Sequence, residues 1–125
     1  DRYREALPNH VMMLESDSGV FEPRGFGFTG SDRARTTVTE IASLLQGVGA
    51  SWIGPNGGGA DIGPSVRAAN IPSMSLAVDE SRYFSIHHTP ADTIDKIDPT
   101  DLARNVAAIA VMVYVVADMP TRLGQ

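Results

Sequence analysis

Residues 98–117, DPTDLARNVAAIAVMVYVVA, decide how the chain is read. Asp98 suits the N-cap of a helix, Pro99 the first helical position where an N–H is not needed, and Asp101 places negative charge in the first turn. Apolar residues follow from Leu102 to Ala117 with few interruptions, which predicts a helix apolar nearly all round. Its unbroken apolar stretch, 106–117, is 12 residues long, short of the roughly 20 that a membrane span requires. Such a helix belongs in a core and needs a sheet face plus neighbouring helices around it, some of them expected outside these residues.

Working outward, the run 10–15 is short, largely apolar and bounded by turn formers, which predicts a buried strand stopping at Ser16-Asp17-Ser18-Gly19. The glycine-rich stretch 20–35 reads as a long irregular connection, with a short strand at most around 25–29. Thr37-Val38-Thr39-Glu40 has the spacing of a capping box and predicts a helix with Ile41, Leu44, Leu45 and Val48 on one face, ended by Gly47 or Gly49. A second helix is expected from Asp61, with Pro64 in its first turn, to near Asn70, and a strand over 74–78. The order of elements indicates an α/β domain, a mixed sheet covered by helices, in one domain or fragment spanning 1–125.

The composition narrows the function. The 125 residues carry 15 acidic and 10 basic side chains, a net charge of −5, and Lys96 is the single lysine. A nucleic-acid backbone is therefore not an expected partner, and neither is a membrane. No cysteine is present, which excludes a disulfide scaffold, a thiolate metal site and a cysteine nucleophile. Residues 1–8 are polar and begin without methionine, so neither a signal peptide nor a natural start is visible, and the chain reads as a piece of something longer.

In an α/β sheet, function gathers beyond the carboxyl ends of the strands. Asp17 stands there, either as a turn residue bonding its own backbone or as a carboxylate presented to a metal or substrate. The 57–61 loop, Gly-Gly-Gly-Ala-Asp, opens a helix and could cradle an anion on free amides. It lacks the lysine and following Ser/Thr of a phosphate loop, so a flexible turn with Asp61 as N-cap is the plainer reading. His87 and His88 follow the apolar run 83–86. On a continuing strand they would point to opposite faces, so at most one is expected to be a ligand. Asp92, four residues after His88, could return to accept its free ring N–H. A serine hydrolase is disfavoured because the Gly-x-Ser-x-Gly elbow is absent.

Taken together, Glu15-Ser16-Asp17-Ser18-Gly19 with Phe21-Glu22-Pro23, the segment 57–64, Ile71-Pro72, and the segment 83–93 that ends His-His-Thr-Pro-Ala-Asp-Thr resemble the C-terminal part of the co-catalytic di-zinc exopeptidases, in the plasma glutamate carboxypeptidase (carboxypeptidase Q-like) branch. The resemblance runs from about Asn9 to about Met119. It implies the C-terminal portion of a zinc-exopeptidase (phosphorylase/hydrolase-like) fold and a site of two zinc ions held by five residues. Asp17 matches a ligand of one zinc and His88 a ligand of the other, and Asp92 would orient His88. Glu15 and His87 receive no role. Tyr83, Gly58 and Gly59 are expected to contact a peptide or dipeptide substrate.

The family's first histidine, its bridging aspartate and its glutamate pair, one of them the general base, have no counterpart in these residues, so no catalytic base is expected within 1–125. The chain alone is expected to bind zinc weakly and to hydrolyse nothing. The resemblance further implies a secreted or periplasmic protein, and the exposed apolar surface predicts self-association, for example as a homodimer. Two other readings stay open: a non-catalytic binding or dimerisation module of the same fold, and an unrelated α/β domain that uses the glycine loop for an anion.

Overall fold

The computed structural model describes residues 4–125, so the first three residues of the polar lead-in lie outside the described residues. Four strands, β1 (Met13–Glu15), β2 (Pro23–Thr29), β3 (Trp52–Gly54) and β4 (Ser73–Val78), form one mixed sheet in the order β1-β4-β2-β3. β1 runs parallel to β4, β2 antiparallel to β4, and β3 parallel to β2. The helices are α1 (Asp32–Ser43), α2 (Gly63–Ala69), α3 (Tyr83–Ile86) and α4 (Pro99–Asp118), and short 3-10 turns cover Arg4–Asn9, Gln46–Val48 and Ile94–Lys96.

The two-residue period of the central strands sorts their side chains. Phe26 and Phe28 of β2 and Met74, Leu76 and Val78 of β4 face the core, where they meet Val38 and Ile41 of α1 and Ala108, Met112 and Val116 of α4. The alternate positions, Gly25, Gly27, Ser73, Ser75 and Ala77, make a second face of small residues. The glycines of β2 answer to close approach: a Cβ on Gly25 would stand 1.9 Å from the Trp52 carbonyl oxygen, and one on Gly27 1.9 Å from that of Asn56. Arg35 fastens α1 to the strand ends, donating to the carbonyls of Phe28 (2.6 Å), Gly54 (2.8 Å) and Pro55 (3.1 Å).

The α4 reading holds in detail: the Asp98 carboxylate accepts the N–H groups of Thr100 (2.7 Å) and Asp101 (3.2 Å). Only one stripe, Asn105, Ala108, Met112 and Val116, is buried, while Leu102, Val106, Val113 and Tyr114 are exposed. By length and composition this 20-residue helix could also cross a membrane, which a count of the unbroken apolar stretch alone does not reveal. In this structure its stripe packs on the sheet.

Other expectations are corrected. β2, allowed only as a short strand around 25–29 in an irregular connection, is the longest strand and one of the two inner ones; its glycines were read as breakers although they serve packing. α1 starts with Ser31 as N-cap, whose hydroxyl accepts the Ala34 N–H at 3.2 Å. Thr37 therefore caps nothing: it lies within the helix and donates to the Arg33 carbonyl at 3.2 Å. Leu44, expected on the buried face, is 67% exposed because the helix ends at Ser43. β1 is shorter than 10–15 and half-buried, since it forms a sheet edge. β3 was not foreseen. The 83–86 run is a helical turn, not a strand.

Candidate active site

β1 ends at Glu15, and the chain turns through Ser16-Asp17-Ser18 to Gly19, whose φ of +84° supplies the bend. Asp17 is exposed, and its carboxylate takes no hydrogen bond from any described residue, so it does not serve as the turn-forming aspartate of the plainer reading. Beside it opens a cavity of about 160 Å³ whose walls include Asp17, Phe21, Tyr83, His87, Asp92 and Lys96. Loss of solvent around the ring, and then the negative charges of Asp17, Glu80 and Asp92, push the Tyr83 phenol above its ordinary value. The expected contact residue Tyr83 therefore sits among the expected acids.

α3 and the turn after it present the histidines. The His87 N–H bonds to the Tyr83 carbonyl (2.9 Å) and the Thr89 N–H to that of Ile86 (3.0 Å). This leaves His88 in the left-handed region at φ +58°, a conformation that costs a non-glycine residue about 1 kcal/mol or more and recurs at functional sites. The premise that the two histidines point to opposite faces fails with the strand. Their rings stack 3.6 Å apart at 27°, and His87 stacks in turn on Tyr83 at 4.5 Å and 19°. His88 is exposed and has no hydrogen bond to a described residue. Asp92 lines the cavity. Its backbone N–H bonds to the Thr89 carbonyl at 3.0 Å, and its side chain makes no hydrogen bond to His88 in this structure.

A second cavity, of about 300 Å³, lies over the small-residue face and shares Asp17, with Glu15, Gly58, Gly59, Trp52 and Glu80 among its walls. The glycine loop folds back across β2: Gly57 exchanges hydrogen bonds with the Thr29 hydroxyl (3.1 and 3.0 Å), and Ser73 donates to the Gly57 carbonyl at 2.9 Å. The loop does cradle an anion on its amides, and that anion is internal. The Glu15 carboxylate accepts the N–H groups of Asp61 (3.2 Å) and Ile62 (3.1 Å). Asp61 is consequently not the N-cap; α2 begins at Gly63 without a side-chain cap of its own. Sequence reasoning missed this use of Glu15, whose partners lie 46 and 47 residues away.

A carboxylate and an imidazole are donor types that suit zinc, but of the two expected ligands only Asp17 lines the cavity; His88 is not among its walls and stacks on His87, which is. Among the described residues no group of three or more His, Asp or Glu stands close enough together to hold a metal by itself. What the fold defines is a mixed α/β sheet covered by helices, with Asp17 bordering its cavities.

No family model matches the chain. It is 38% identical over 121 residues to carboxypeptidase Q of Mus musculus, across 97% of the chain and 26% of that relative. It is 39% identical over 117 residues to the Homo sapiens carboxypeptidase Q, across 94% of the chain and 25% of the relative. Among solved structures, a peptidase M28 precursor from Shewanella amazonensis matches with a TM-score of 0.83 and 32% identity, over 99% of the chain and 28% of that structure. By sequence and by fold the chain is a carboxypeptidase Q-like segment of the peptidase M28 type, spanning about a quarter of the length of the relatives it matches.

Proposed function

We propose that these residues form the C-terminal part of a zinc-dependent exopeptidase that hydrolyses dipeptides or peptide ends. The observation that carries this reading is an unbonded carboxylate, Asp17, on the wall of the cavity that Tyr83, His87 and Asp92 also line, with the strained, exposed imidazole of His88 stacked on His87. Asp17 would hold one zinc and His88 the other. Two zinc ions, when bound, supply polarisation of the scissile carbonyl and a lowered pKa for the attacking water.

The chain's own residues do the positioning. The stack of Tyr83, His87 and His88 limits how the His88 imidazole can turn. Asp92 stands four residues on, across the Thr89 turn, and would accept the ring N–H of His88 once the site closes. The Tyr83 phenol, held protonated, can donate a hydrogen bond to substrate, and Gly58-Gly59 would form a wall against which a peptide backbone lies. The general base and remaining ligands are assigned to sequence outside these 125 residues.

The test is hydrolysis of unblocked dipeptides by the full-length polypeptide. Asp17→Ala and His88→Ala are each expected to lower kcat/KM at least about 100-fold, the scale set by losing a metal ligand or its support. Wild-type turnover in both variants would contradict the reading. A folded full-length protein that binds no zinc would favour the non-catalytic module instead.

A further inference from the structure

We propose that Glu15 is a positioning residue of this site, fixing Asp17 and the Gly58-Gly59 wall relative to one another. The proposal rests on the metallopeptidase reading above. Glu15 is the last residue of β1, half-buried, and its Oε2 accepts both the Asp61 and Ile62 N–H groups. Those amides have no other acceptor among the described residues, because α2 carries no side-chain cap. A charged acceptor on two backbone donors is a strong pairing, and it crosses from the β1 edge to the loop that leads into α2.

Gly59 shows how closely the carboxylate is held. A Cβ there would stand 2.1 Å from Glu15 Cδ and 2.2 and 2.3 Å from its two oxygens, and no other atom is nearer. The Gly59 backbone is outside the left-handed region, so a methyl there meets first the Glu15 carboxylate, which must move to admit it. Asp17, two residues downstream, has no hydrogen bond of its own to a described side chain or backbone group. Its place is therefore set by the chain on either side, and the anchor on the β1 side is Glu15. Glu15, Asp17, Gly58 and Gly59 all border the same cavity.

Zinc affinity of the full-length polypeptide, measured by competition with a chromophoric chelator, tests this. Glu15→Ala is expected to weaken zinc binding about 10-fold or more, the usual effect of removing a partner that orients a ligand, whereas Glu15→Gln, whose carboxamide oxygen can accept the same two N–H groups, stays within about threefold. Gly59→Ala, which drives the carboxylate out of its cradle, is expected to weaken binding as Glu15→Ala does and carries the test if Glu15→Ala fails to fold. The double variant should bind no more weakly than either single one, because the carboxylate that the added methyl would displace is then already gone. Asp17→Ala is run in parallel: wild-type affinity there overturns the metallopeptidase reading itself. If Asp17→Ala loses zinc while Glu15→Ala and Gly59→Ala keep wild-type affinity, or if their losses multiply in the double variant, the role of Glu15 is overturned.

Discussion

Asp79 fastens the turn after β4 to β2 through one side chain. It follows β4, and hydrogen bonds from Ser81 and then from Arg24, the latter at 2.7 Å, hold its carboxyl at about 2. The folded value lies below the ordinary one near 3.9, so the pairing stabilises the fold above that ordinary value and is lost as pH falls through about 4 toward 2. Asp79→Asn is therefore expected to lower Tm at pH 7 and to leave it nearly unchanged at pH 2; thermal melts at the two pH values check this. At this scale the sequence was informative where a residue type has one strong chemical use. Asp17 stands at a strand end and lines a cavity, while His88 reaches that cavity only through the ring of His87 on which it stacks. The use of Glu15 stayed hidden because its partners are backbone amides 46 and 47 residues away, which no local pattern records.

Elements were legible where propensity, capping and burial agree. α4 has its cap, proline and apolar stripe in register, and it was read almost to the residue. α1 was misplaced because threonines inside a helix resemble caps when seen only as letters. Ser31→Ala is expected to cost about 1 kcal/mol, the usual worth of an N-cap, and Thr37→Ala less than about 0.5 kcal/mol; chemical denaturation distinguishes the two. β2 was underestimated, as a short strand around 25–29 at most, for the opposite reason. Gly25 and Gly27 weaken any strand prediction, yet neighbouring backbone approaches so closely that only glycine fits. Phe26, with 0% exposure between them, should cost about 3–5 kcal/mol when truncated to alanine if β2 is the central strand. A loss below about 1 kcal/mol would return this stretch to a loop.

At the scale of the molecule, the helices α1 and α4 pack on one face of the sheet, while the returning glycine loop is bonded to the face of small residues. Leu102, Val106, Val113 and Tyr114 of α4 remain exposed, and sedimentation of the isolated 125 residues is expected to show association that grows with concentration; a monomer throughout would contradict it. The class of fold could be read from the order of elements, but the sheet order could not, since the β2–β4 pairing depends on contacts far apart in sequence. Of the candidate site, Asp17, Tyr83, Asp92, Gly58 and Gly59 do border the cavities, whereas the place of His88 depended on a helical turn that the sequence suggested as a strand. The central claim is that Asp17 and His88 are zinc ligands contributed to a larger centre. Elemental analysis of the full-length polypeptide after dialysis tests it most directly: two zinc ions per chain are expected in the wild type and fewer in His88→Ala, and an unchanged zinc content in that variant would contradict the account.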